Sequence, residues 1–216
     1  MIRRVIPTVL VNSKEEFDER LAKLLPIAEE IQIDLMDGEF VENKSIDLYD
    51  LPNLKKYKKD FEAHLMVENP GDYIKTLKEK GFSKIIFHYE SLKSNSKIKS
   101  LIQRIKDLGM KAFIALNPET ETKEIFGFLH LTDGILFMGV NPGKEKQEFI
   151  PGVYKKVREI ERFNPGIITQ VDGGVDLHVA KELGKIGVDI INSGSFVSDS
   201  RNPKQALFKL GKCFFE

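Results

Sequence analysis

Eight short apolar runs recur along the chain, beginning near Val5, Ile31, Phe61, Lys84, Lys111, Gly134, Ile167 and Val188, with longer polar stretches between them. Runs of this length, rich in β-branched residues, read as buried strands, and the stretches between them carry helical spacing. Strands that alternate with helices pair in parallel through right-handed crossovers, which leaves two architectures: a closed βα barrel or an open doubly wound sheet. No Gly-x-Gly-x-x-Gly follows the first run, and eight units are more than the open sheet usually needs. The pattern predicts an α/β fold, a (βα)8 TIM barrel, with residues 1–216 as one domain.

Local signals agree. Ser13 with Glu16 three residues on has the spacing of a capping box, and Phe17, Leu21 and Leu24 follow on one face. Further helices are expected over Gly71 to Lys80, Ile98 to Leu108, Val153 to Arg162, Leu177 to Ile186 and Pro203 to Lys212. A chain with 41% hydrophobic residues can bury a sizeable core. Lys plus Arg and Asp plus Glu both total 33, so no net field favours nucleic acid or an anionic membrane, and a small molecule or another protein is the expected partner. The lone Cys213 has no intrachain disulfide partner, which suits a reducing compartment and makes the cytoplasm the expected location. No leader-like stretch opens the sequence, and no run approaches the roughly 18 apolar residues of a membrane span.

In a βα barrel the chemistry sits at the C-terminal ends of the strands. Those ends carry Thr8, Asp34, His64, His88 with Glu90, Asn117, Asn141, Asp172 and Ser193. Alternation along a strand groups Gln32, Asp34 and Met36 on one face against Ile31, Ile33 and Leu35 on the other. The same rule groups Glu62 with His64 and Met66, and Gln170 with Asp172. A single Asp or His in a strand is commonly a hydrogen-bonded structural group; their joint placement is what points to chemistry. Two carboxylates approaching a ligand from different sides suit two-sided proton transfer at a carbon next to a carbonyl. A divalent ion held by Asp34, His64 and Asp172 would stabilise the negative oxygen that develops. The turns after the seventh and eighth runs, Gly173-Gly174 and Ser193-Gly194-Ser195, have the glycines and hydroxyls suited to holding a phosphate. Met36, Met66 and Met138 by themselves read as flexible core filler.

Six segments together resemble the ribulose-phosphate 3-epimerase family: Ile6-Pro7-Thr8-Val9-Leu10, Asp34 to Val41 (DLMDGEFV), His64 to Pro70 (HLMVENP), Ala115-Leu116-Asn117-Pro118, Val140-Asn141-Pro142-Gly143 and Val171-Asp172-Gly173-Gly174. The resemblance runs from the first strand to the eighth. It implies a barrel of the ribulose-phosphate-binding type, with Asp34 and Asp172 as the acid and base and His64 as a metal ligand. It also implies a phosphorylated ketose substrate, one divalent ion (zinc, manganese or iron(II)) and a homo-oligomer. Met36, Met66 and Met138 match methionines bordering the family's pocket; Gly173, Gly174, Gly194 and Ser195 match its phosphate turns, and Asn141-Pro142-Gly143 opens its sixth-strand loop.

There are departures. Gln32 stands where the family has a second metal-binding histidine, and an amide oxygen is a weaker ligand than imidazole. Thr8 replaces a serine. Lys144-Glu145-Lys146 replaces a glycine-rich stretch before Gln147 and reads as a solvated charged loop. His88 and Glu90 match a His-x-Glu for which a supporting role is expected, His130 and His178 read as surface residues, and Cys213 as incidental. Three functions compete: an epimerase of ribulose 5-phosphate or another ketose phosphate, a phosphosugar-binding paralogue without epimerase activity, and an enediolate-forming decarboxylase. The last lacks its usual lysine in Asp34-Leu35-Met36-Asp37.

Overall fold

The computed structural model describes residues 3–92, 94–144 and 146–216. Its eight strands are β1 (Arg4–Val9), β2 (Glu30–Met36), β3 (Asp60–Met66), β4 (Lys84–His88), β5 (Lys111–Leu116), β6 (Gly134–Met138), β7 (Ile168–Asp172) and β8 (Ile190–Ser193). All pair in parallel, and the pairing of Arg4 to Pro7 with Ile190 to Ser193 closes the ring in sequence order. This is the expected βα barrel. The helices are α1 (Lys14–Leu24), α2 (Ile74–Lys80), α3 (Asn95–Asp107), α4 (Gly152–Phe163), α5 (Leu177–Lys185), α6 (Ser195–Ser198) and α7 (Pro203–Phe215).

Caps explain most boundaries. Ser13 Oγ accepts from the Glu16 backbone N–H at 3.2 Å, while Glu16 Oε2 reaches back to the Asn12 N–H at 3.3 Å, so the reciprocal half of the box closes one residue early. The Ser94 side chain caps α3 and starts it at Asn95, ahead of the expected Ile98. Pro70–Asp72 forms a 3-10 turn, so α2 starts at Ile74 rather than Gly71. The crossovers after β2 and β5 carry 3-10 turns, Leu48–Asp50, Leu54–Tyr57 and Thr122–Phe128, in place of α-helices.

The outward faces of the strands form the main core. Ile31, Ile33 and Leu35 of β2 and Phe61, Ala63 and Leu65 of β3 are at most 1% exposed and join one apolar cluster with Phe17, Leu21 and Leu24 of α1. Register puts Gln32 beside Glu62, Asp34 beside His64 and Met36 beside Met66, and Met138 beside Asp172. The predicted inward set therefore shares the barrel lumen.

That lumen is divided. Ile86, Phe113, Ala115, Leu136, Met138 and Val140, from the β4 to β6 side, form a separate apolar cluster. On the other side polar groups fill the floor. Glu62, itself fully buried, accepts from Gln170 Nε2 at 2.7 Å and Asn192 Nδ2 at 2.8 Å, and pairs with the Lys84 ammonium. Lys84 also pairs with Glu30 at 2.9 Å and sits 4.8 Å from the centre of the Phe113 ring. Glu30 in turn meets Arg4 at 2.7 Å. Burial raises the Glu30 pKa, but Lys84 and Arg4 outweigh it and hold the carboxyl below the ordinary range. Removing one partner of such a buried network leaves an uncompensated charge, so Glu62→Leu is expected to cost about 3–5 kcal/mol in urea unfolding. A loss below about 1 kcal/mol would show that Glu30 by itself compensates the buried Lys84 ammonium.

Candidate active site

The ends of β1, β2, β3, β6, β7 and β8 open into one cavity. Its lining includes Thr8, Asp34, His64, Met66, Met138, Asn141, Gly143, Asp172, Gly173, Gly174, Gly194 and Ser195. Met36 is buried beside Met66 but lies outside this lining, and Gln32 lies beneath it.

At the centre, His64 Nδ1 is 3.1 Å from Asp34 Oδ1 and 3.6 Å from Asp172 Oδ2. Asp34, His64 and Asp172 each offer one ligand atom, and these atoms lie within 4.8 Å of one another. All three residues are buried. Two anionic oxygens and a nitrogen gathered in a buried site form a donor set that could hold a divalent ion. The Asp172 carboxyl is pushed up to about 7, first by burial and then by the Asp34 charge, against the opposing effects of His64 and the Gln32 hydrogen bond. Burial holds His64 below the ordinary imidazole range despite the nearby Asp172 and Glu62.

Gln32 is the floor of the site. Its Nε2 donates to Asp34 Oδ1 at 2.8 Å and to Asp172 Oδ2 at 2.5 Å. Its Oε1 accepts from Asn192 Nδ2 at 2.8 Å, and Asn192 Oδ1 accepts from Gln170 Nε2 at 2.7 Å. Glu62 sets these orientations: an ionised carboxylate only accepts, so both amides turn nitrogen towards it, and the polarity passes from Asn192 to Gln32. The residue at the position expected of a ligand thus presents N–H, not oxygen, to the two carboxylates.

Above β3 and β4 a second row leads outwards. His64 Nε2 lies 2.9 Å from His88 Nε2, with ring centroids 5.1 Å apart, and His88 Nδ1 faces Glu90 Oε2 at 3.4 Å. Glu90 Oε1 accepts from the Asn117 N–H at 2.8 Å and the Thr120 hydroxyl at 2.5 Å. The Phe40 ring covers His88, centroids 4.9 Å apart. Asp37 holds that loop by accepting from the backbone N–H groups of Glu39, Phe40 and Glu68, a structural use of the second carboxylate in Asp34-Leu35-Met36-Asp37.

The rim comes from glycine turns and the β6 loop. Gly173 and Gly174 have φ of +97° and +67°, and an added Cβ would lie 2.5 Å from Val140 Cγ2 at the first and 2.9 Å from the Phe149 backbone at the second, so neither place accepts a side chain. The Asn43 amide donates to the Gly143 carbonyl at 2.9 Å, and Gln147 Nε2 donates to the carbonyls of Asn141 and Lys144 at 2.6 and 2.9 Å. Lys146, at φ +62°, pairs with Asp199 at 2.9 Å, so this lysine ties the loop to the end of α6 while remaining largely solvated. Glu145 lies outside the described residues. His130 and His178 are exposed, and Cys213 lies on α7. Sequence reasoning missed Asn192 and Lys84. Alternation on Ile190-Ile191-Asn192-Ser193 would have pointed Asn192 inwards; Lys84, at the start of its strand, reads from sequence as a solvated end.

Comparison with known proteins matches the Ribulose-phosphate 3 epimerase family over residues 4–198. The chain is 33% identical to the "Ribulose-phosphate 3-epimerase, cytoplasmic isoform" of Oryza sativa subsp. japonica over 189 residues, covering 86% of this chain and 82% of that protein. It is 33% identical to the ribulose-phosphate 3-epimerase of Aquifex aeolicus over 188 residues, covering 85% and 83%. In fold it is similar to 3-hexulose-6-phosphate synthase from Salmonella typhimurium, with a TM-score of 0.75 at 12% identity, covering 98% of each chain.

The raised Asp172 pKa has a consequence for stability. Between the ordinary 3.8 and about 7 the folded state retains a proton that the unfolded state has lost, so this group's contribution to stability falls as pH rises through that window. In chelator-treated protein the urea midpoint should decline more steeply from pH 4.5 to pH 8 than in Asp172→Asn; equal slopes in the two proteins would contradict the assignment.

Proposed function

Because this chain belongs to the ribulose-phosphate 3-epimerase family, we propose that it inverts C3 of D-ribulose 5-phosphate to give D-xylulose 5-phosphate. The observation that carries the reading is the convergence of Asp34 and Asp172 on one buried cavity from strands three steps apart in the ring. One carboxylate removes the C3 proton and the other delivers a proton to the opposite face of the planar enediolate. The reverse reaction exchanges their roles. A carboxyl near 7 suits this, since Asp172 can offer either form close to neutrality.

The donors Asp34, His64 and Asp172 would hold one divalent ion, zinc, manganese or iron(II), and such an ion supplies Lewis-acid stabilisation of the enediolate oxygens. The chain's own groups do the rest. Gln32 holds the two carboxylates in place from below. Thr8, Met66 and Met138 border the substrate, with Met36 behind them, and the apolar half of the lumen keeps water from the reacting carbon. The turns at Gly173-Gly174 and Gly194-Ser195 hold the phosphate, under the loop of Asn141 and Gly143. The same reading makes residues 1–216 one barrel domain acting in the cytoplasm as a homo-oligomer. It is supported by the name of the rice relative, by the lack of any helix among the described residues long and apolar enough to cross a membrane, and by the exposed Phe208 and Phe215 of α7. The binding-only paralogue is not favoured, since both carboxylates and the phosphate turns line the cavity.

In heavy water with added metal, the protein should place deuterium at C3 of ribulose 5-phosphate. Asp34→Asn and Asp172→Asn should each slow this exchange by about 100-fold or more. Sugar-phosphate binding without exchange, under any of the three ions, would overturn the epimerase reading in favour of a binding protein.

A further inference from the structure

Glu90 and His88, which stand behind the donor His64, take no part in the chemistry above. Glu90 Oε1 is occupied by two donors, the Asn117 N–H and the Thr120 hydroxyl. Glu90 Oε2 and His88 Nδ1 face each other at 3.4 Å, and both atoms are buried. The Asn117 side chain also lies against the His88 ring. Burial raises the Glu90 pKa, but His88, Thr120 and Asn117 outweigh it and keep the carboxyl below the ordinary range, so it acts as an acceptor.

An acceptor at Glu90 requires the hydrogen of a neutral His88 to lie on Nδ1. His88 Nε2 is then bare and must accept, so the hydrogen in the 2.9 Å contact belongs to His64 Nε2. His64 Nδ1 is left with a lone pair, and it faces Asp34 Oδ1 at 3.1 Å and Asp172 Oδ2 at 3.6 Å. Three electron-rich atoms brought together repel one another unless a cation, or a proton on Asp172, lies among them, and a divalent ion takes that place when it displaces the proton. The opposite arrangement, with hydrogen on His64 Nδ1, leaves His88 Nδ1 bare against the Glu90 carboxylate, two acceptors facing each other at 3.4 Å.

We propose that Glu90, acting through His88, is a positioning residue for the metal site: it selects the His64 tautomer in which Nδ1 is a cation ligand. The inference rests on the metal reading above and adds residues that touch neither metal nor substrate. It follows the general pattern in which a carboxylate behind a ligating histidine fixes the ring's tautomer and orientation, here extended through a second imidazole.

The test uses the full chain, labelled with ¹⁵N and loaded with zinc. Long-range ¹H–¹⁵N spectra should show His64 protonated on Nε2 and His88 on Nδ1. Glu90→Gln is the informative variant. Asn117 N–H and the Thr120 hydroxyl keep the Gln oxygen on their side, so its NH₂ group turns towards His88 Nδ1 and reverses the required tautomer. His88 should then move its hydrogen to Nε2, and zinc affinity, read by competition with a chromophoric chelator, should fall about 10–100-fold. Wild-type zinc affinity and tautomers in Glu90→Gln would overturn the proposal, as would a wild-type spectrum with the His64 hydrogen on Nδ1, whatever the variant does. Failure of the wild-type chain to bind zinc, manganese or iron(II) would overturn the metal reading and this inference with it; that result is read without the variant, so the two failures are distinct.

Discussion

The Glu62 carboxylate is the fixed point of the barrel interior. It accepts from an ammonium and two amides at once, and because it cannot donate, it dictates which end of each amide faces it. Every orientation above it follows. Asn192 turns its nitrogen down to Glu62 and across to Gln32, and Gln32 turns its own nitrogen up to Asp34 and Asp172. The charge that makes this possible is held in place by Lys84, which also pairs with Glu30, and Glu30 in turn pairs with Arg4 at the base. Burying so many charged groups is costly unless each is paired and hydrogen-bonded, and here the pairing is what gives the site its geometry.

The division of the lumen serves the same end. The apolar cluster of Ile86, Phe113, Leu136 and Met138 fills one side with side chains that make no demands on hydrogen bonding. The polar side can then be satisfied almost entirely within itself, with the Asp34 and Asp172 carboxylates at its top. Low polarizability around Asp172 is also what raises its pKa, since burial is the first cause of the shift.

Much of this was legible in the sequence. The eight runs, their order and the inward set at Asp34, His64 and Asp172 follow from period and alternation, because a strand buried on both sides leaves those signals intact. Ser94 and Pro70 shifted helix starts by up to a turn, since capping competes with apolar spacing at boundaries. Amide orientation was not legible. The letter at position 32 says that a glutamine is present, and only its partners across the barrel, 140 and 160 residues away, decide that it donates to the carboxylates. Lys84 and Asn192 were hidden for a related reason: their burial depends on long-range counterparts that no local window contains.

The polar groups from Arg4 at the base to Glu90 at the rim form one connected row through Glu30, Lys84, Glu62, Asn192, Gln32, Asp34, His64 and His88. Groups joined in this way do not change independently, and the effects of substitutions among them do not add. A replacement at Asn192 removes the donor that fixes the Gln32 amide, so the two positions are energetically coupled. The groups presented at the mouth of the barrel therefore depend on residues at its base, and the end of the amide that position 32 turns to the carboxylates is set by Asn192 and Glu62 below it.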